Sequence, residues 1–141
     1  MSPRQIISSI ARFLQTKLKD SAELYIDGVD ILNESTYPRF EIRIDGPNIT
    51  STTKNFRIFE IEIFIMVITK SSVNRLIHYD LIEVCRGALP NTIPILNDND
   101  VVVDCFQSAD EIYITPYGTV SISDDITQTS VERKFTLHTG A

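Results

Sequence analysis

The chain has 141 residues, of which 43% are hydrophobic, and 19 acidic against 13 basic side chains give it a net charge of −6. That is one domain, residues 1–141, large enough to bury a core unaided. Its sign is wrong for a protein that neutralises phosphates, which argues against specific binding of DNA or RNA, and two distant cysteines, Cys85 and Cys105, are too few for a disulfide scaffold or a metal centre.

Ser2 can cap a helix, Pro3 fits its first position, and Gln5 stands three residues after Ser2 in a capping-box arrangement. Ile6, Ile7, Ile10, Phe13, Leu14 and Leu18 follow at helical spacing, predicting an amphipathic helix of about 16 residues. Glu23 to Ile26 is a short strand. A turn-rich segment leads to Pro38, which forces an extended approach. Arg39 to Asp45 alternates strictly, with Phe40, Ile42 and Ile44 facing in, and Gly46-Pro47-Asn48 is expected to break it. The polar tract Thr50–Asn55 reads as the mobile tip of a hairpin.

Phe56 to Thr69 is the dominant segment. It has no Gly or Pro, and its β-branched and aromatic residues favour a pleated strand. Odd positions from Phe59 to Val67 are all apolar. The even face begins wet at Glu60 and Glu62 and turns dry at Phe64, Met66 and Ile68, which places the strand mid-sheet. At roughly 3.3 Å per residue it spans more than about 40 Å, so it bends strongly or projects past the domain body.

Ser71 or Ser72 then caps a second helix, with Val73, Leu76, Ile77, Leu81, Val84 and Ala88 on its apolar face and a stop near Gly87 and Pro90. Asn91 to Asn99 is expected to be a loop. Val101–Gln107, Glu111–Thr115, Val120–Ser123 and Ser130–Leu137 read as strands, with a turn at Pro116-Tyr117-Gly118. The order predicts an α+β fold: a mainly antiparallel sheet with a long central hairpin and two amphipathic helices packed on one face.

No phosphate loop, Gly-x-Ser-x-Gly or His-Glu-x-x-His pattern occurs, and no run reaches the roughly 20 apolar residues of a membrane span. The opening residues lack a signal-peptide core and cleavage site, so synthesis in the cytoplasm, with both cysteines as buried thiols, is expected. His78 and His138 lack a second ligand at metal spacing and read as solvent-facing or hydrogen-bonded structural residues. Glu60 and Glu62 lie on one strand face about 7 Å apart, a separation glycosidase carboxylates also show. A wet sheet face gives the same spacing in inert proteins, so the expectation is no enzyme, no cofactor and no metal. Asp98, Asp100 and Asp124 do not differ from chance as cation ligands. Arg39, Arg43 and Arg57 form the one basic cluster. They can meet Glu41, Glu60 or Glu62 across the hairpin, or contact a neighbouring subunit.

An amphipathic first helix (Ile6 to Leu18), a long hairpin (Pro38 to Lys70), a central helix and a β-rich end resemble the tail-terminator and tail-completion (neck) proteins of tailed bacteriophages. The resemblance rests on element order and size. It implies an α+β subunit that closes into a homo-oligomeric, hexameric ring at the head-proximal end of the tail. Such a ring ends tube polymerisation and has as partners the tail tube protein and a head or neck connector protein. The expected location is the virion, with no membrane association, and DNA passes without specific binding. Asp27, Asp30, Glu34, Asp45, Glu60 and Glu62 are then candidates for the ring's lumen, where negative charge repels DNA phosphates. Arg39, Arg43 and Arg57 are candidate intersubunit contacts. A head-completion or connector protein, and a small α+β module binding a ligand or partner between its helices and sheet, are the alternatives.

Overall fold

Ser2 opens the fold as anticipated, its side chain accepting the backbone N–H of Gln5 at 3.2 Å ahead of helix α1, Pro3–Leu18. The reciprocal half of the capping box is replaced by a tertiary contact: Gln5 Nε2 donates to the carbonyl of Leu96 at 3.1 Å. Ser9 Oγ also accepts the Leu96 N–H at 3.0 Å, so α1 is pinned to a distant strand while Ile6, Ile10, Leu14 and Leu18 fill the core. This computed structural model describes the chain except residues 1, 29, 31–35, 54–55, 71–74, 109, 122–124 and 141, together with side chains at 51–53, 118–121, 125 and 140.

Among the described residues there are seven strands and two helices. The strands are β1 (Glu23–Ile26), β2 (Arg39–Thr53), β3 (Phe56–Lys70), β4 (Thr92–Leu96), β5 (Val102–Gln107), β6 (Tyr113–Ser121) and β7 (Asp125–Gly140), and α2 spans Arg75–Gly87. They form one sheet in the order β1-β2-β3-β7-β5-β4, with β6 also paired to β7. Every pairing is antiparallel except β1 with β2. The fold is therefore α+β, with a mainly antiparallel sheet, a long central hairpin and both helices over one face. That face carries Phe40, Ile42, Ile63, Ile65, Val131 and Phe135, nearly all at zero exposure.

β3 lies mid-sheet, as its pattern predicts. It does not project alone, because β7 accompanies it from Phe56↔Gly140 to Lys70↔Ile126 and β2 lines its other edge. Four expectations need correcting. Gly46-Pro47-Asn48 does not end the alternating strand; β2 absorbs it as a register shift between Asp45 and Asn48 and continues to Thr53, paired with Phe56. Lys54 and Asn55, the tip of the supposed mobile tract, lie outside the described residues, as do Ser71 and Ser72. Residues 92–96 form β4 rather than a loop, with Pro94 opposite Cys105 on the outer strand of the sheet, where a missing N–H is tolerated. Pro116–Gly118 is an irregularity within β6 rather than a turn.

The fourth correction is rotational. α2 buries His78, Leu81, Ile82 and Cys85, leaving Leu76 and Ile77 at 65% and 46% exposure. The hydrophobic pattern points to Leu76 and Ile77, but the buried stripe runs through His78, Leu81, Ile82 and Cys85, with two sheet hydroxyls bonded to His78. Of the two cysteines, Cys85 is buried, which raises its thiol pKa, and Cys105 is only half-buried.

Gly46 makes the passage through β2 possible. Its φ of +107° lies where glycine alone is comfortable, and a Cβ there would stand 2.6 Å from the backbone oxygen of Glu60. Gly46→Ala is expected to lower unfolding free energy by about 2–3 kcal/mol, since strain and clash add. A urea midpoint unchanged from wild type would show that β2 has another route past Pro47.

Candidate functional site

The side of the sheet opposite the helices is built in rows across three strands. Glu41, Met66 and Ser130 form one row; Arg43, Phe64 and Glu132 the next; Asp45, Glu62 and Lys134 a third; Asn48, Glu60 and Thr136 a fourth. Strand alternation puts all of them on the outer face. The even positions of β3 thus behave in stages: Glu60 is exposed, Phe64 and Met66 are half-buried, and Ile68 is buried.

The curl of the sheet turns part of this face into a groove of about 410 Å³. Phe64 and Met66 form its floor. Tyr25 of β1 and Tyr117 of β6 contribute from the two flanks, and Asp27, Asp30, Glu41 and Glu132 bring carboxylates against the single guanidinium of Arg43. Arg43 lies over the floor, its guanidinium carbon 4.3 Å from the Phe64 ring centre and its Nε 3.1 Å from Asp45. Asp30 Oδ2 accepts the N–H of Ile26 at 3.0 Å, which closes the turn after β1.

Glu132 and Glu62 are diagonal neighbours across the β3–β7 ladder, so their carboxyls interact. Partial burial, then the charge of Glu62, pushes the Glu132 carboxyl above its ordinary value, while Lys134 and Arg43 pull it back. A carboxyl whose folded pKa is raised stabilises the fold below its unfolded value, about 4.5, and loses that contribution as pH rises through the folded one. Glu132→Gln is therefore expected to raise stability at neutral pH by about 0.5 kcal/mol, the scale of a like-charge cross-strand pair. The gain should shrink toward pH 4 in parallel melts; a constant gain would place its origin elsewhere.

The predicted site residues separate on this framework. Asp45, Glu60 and Glu62 share the outer face, and Asp27 and Asp30 line the groove; Glu34 lies outside the described residues. The three arginines do not cluster. Arg39 is 5% exposed, with its guanidinium 4.8 Å from the Tyr37 ring centre and donating to the Thr36 carbonyl, so it is buried within its own subunit. Its carboxylate neighbour, Glu41 at 3.9 Å, lies two residues along the same strand, as does Asp45 for Arg43, rather than across the hairpin. Arg57 is exposed near the far end of β3.

The pairing that would interest an enzymologist is Glu62 with Glu132, not Glu60 with Glu62. The register that sets Glu132 beside Glu62 is a tertiary property. Tyr25 and Tyr117 were missed for the same reason. Asp100 is engaged by Arg12 at 2.6 Å at the surface, and no group of three or more ligating side chains gathers among the described residues.

No family model and no curated protein matches the sequence. Solved structures do match. One of them, which carries no functional description, superposes over 96% of both chains with a TM-score of 0.63 at 8% identity. At that identity the likeness shows a shared fold and nothing about activity.

Proposed function

We propose that this chain is a structural subunit that closes into a ring at the head-proximal end of a bacteriophage tail, ending tube growth and joining the tail to the head or neck. The observation that carries the self-association is β6. It pairs with β7 on one side, and among the described residues no strand lines its other edge. That nine-residue strand bears Tyr113, Ile114 and Tyr117 at 60%, 41% and 56% exposure. A long apolar edge is an aggregation template in an isolated molecule. A ring covers it, because each subunit presents one face to a different face of its neighbour. The place of the ring on a phage tail rests on the resemblance in element order.

The outer-face acids fit such a role. Asp45, Glu60 and Glu62, with Arg43 and Lys134 beside them, leave this part of the broad sheet surface net negative, as suits a lumen that repels DNA phosphates. A ligand-binding module of the kind weighed above needs a cavity between helices and sheet, but Ile6, Leu14, Ile63, Ile65 and Phe106 pack that interior at zero exposure.

Light scattering of the purified chain is expected to give a discrete mass near six times the 16.0 kDa subunit. Tyr113→Lys combined with Tyr117→Lys should return it to subunit mass. Neutralising Asp45, Glu60 and Glu62 together should leave ring mass unaltered while slowing DNA passage. Unimpaired infectivity of a phage carrying that triple variant would remove the lumen assignment, and a wild-type chain that stays monomeric even with assembled tail tubes would remove the ring.

A further inference from the structure

The sheet carries a second pair of unmatched surfaces, and they lie at opposite ends of it. At one end is the groove, with four lining carboxylates against one arginine and aromatic rings on its floor and flanks. At the other is the end of the β2–β3 arm, where Ile49 is 47% exposed, Phe56 and Ile58 are half-buried, and Arg57 is exposed. Arg57 is seven residues from Phe64 along β3, about 23 Å at strand rise, so the two surfaces cannot meet within one molecule.

We propose that the groove receives the arm end of a second copy of this chain, with Arg57 entering among Glu41, Glu132, Phe64 and Tyr117. This rests on the self-association argued above and specifies which surfaces join. Charge is the first argument for it: the groove is net acidic and the arm end presents the exposed Arg57, so this contact is attractive although the chains repel overall at −6 each. The second is that Arg43 already shows how a guanidinium settles on this surface, stacked on Phe64 and paired with a carboxylate. The third is continuity. Tyr113, opposite Glu132 in register, extends the aromatic surface beyond the groove along β6. A small cation would leave that extension and Ile49 uncovered, whereas an arm end covers both. Different faces meet, so the contact is head-to-tail and propagates around a ring.

The test is a charge exchange followed by sedimentation velocity over a dilution series, at low salt and at about 0.5 M, where exposed charges are screened. Arg57→Glu and Glu132→Lys are each expected to weaken association at least tenfold at low salt. The double variant should recover to within about threefold of wild type. Circular dichroism melts check folding, and Asp27→Lys replaces Glu132→Lys if the latter does not fold. Rings that survive both single changes, or a double variant no better than either single, would overturn the groove contact while leaving ring formation standing. A wild-type chain that stays monomeric at every concentration and also with assembled tail tubes would overturn both.

Discussion

Arg133→Met is expected to destabilise the fold by about 3–5 kcal/mol, the scale for removing one member of a buried charged network. The guanidinium is 9% exposed and sits in the apolar row of β7 between Val131 and Phe135. Its Nη1 donates to the Leu89 carbonyl at 2.8 Å and its Nη2 to Asn91 Oδ1 at 2.6 Å. Its Nε reaches both Ser108 Oγ and the Asp110 carbonyl at 3.1 Å. One side chain thus ties the segment after α2 and the segment after β5 to the centre of the sheet. Methionine fills the stem's volume but strips the Leu89 carbonyl and Asn91 Oδ1 of the guanidinium, while Ser108 Oγ and the Asp110 carbonyl keep weaker contacts with each other's segment. Lysine keeps the charge and loses the planar fork, so Arg133→Lys should recover less than half of the loss. Urea unfolding measures both; a Met variant within 1 kcal/mol of wild type would show that water replaces the fork.

His78→Ala is expected to cost about 3 kcal/mol, from a cavity under α2 and two stranded hydroxyls. The ring lies at 4% exposure between Thr69 Oγ1, 2.9 Å from Nδ1, and Thr129 Oγ1, 2.8 Å from Nε2. Each ring nitrogen thus has a hydroxyl partner, which can donate or accept as the tautomer requires. Desolvation lowers the His78 pKa from its ordinary 6.5. For a base with a depressed folded pKa the stabilisation is complete above about pH 6.5 and is lost as pH falls through the folded value. The stability gap between wild type and His78→Gln should therefore be widest above pH 6.5 and narrow toward pH 5. A gap independent of pH would mean the imidazole keeps its proton state on folding.

The parts of this architecture legible in the sequence are those where local chemistry and tertiary demand agree. Ser2-Pro3 starts α1, the odd row of β3 is buried, and the alternation from Arg39 to Asp45 continues into a ladder. The failures occur where a distant partner overrides a local signal. Pro47 and Pro116 looked like breakers, yet register shifts accommodate both because β3 and β7 supply hydrogen bonds on either side. Leu76 and Ile77 looked like core, yet α2 packs through His78, Leu81, Ile82 and Cys85, where Thr69 and Thr129 bond the imidazole. Of the groove, the sequence shows Asp27 and Asp30 as candidate acids and Phe64 and Met66 as the dry end of the even face of β3, but not that they meet. Its flanks, Tyr25 and Tyr117, come from strands whose pairing no short-range pattern encodes.

The β3–β7 ladder also bears on how the chain acquires its shape. Its partners are separated by 56 residues at Lys70↔Ile126 and by 84 at Phe56↔Gly140, whereas β2 and β3 are joined by a short connection. The hairpin therefore forms early from local contacts, and the closure of β7 onto β3 is the slow, entropy-limited step. Until β7 arrives, the most hydrophobic strand of the molecule offers a bare row of amides and carbonyls to any other nascent chain. During synthesis that interval lasts while at least fifty more residues are translated, so yield should depend on translation speed and chaperone supply more than on the stability of the finished fold.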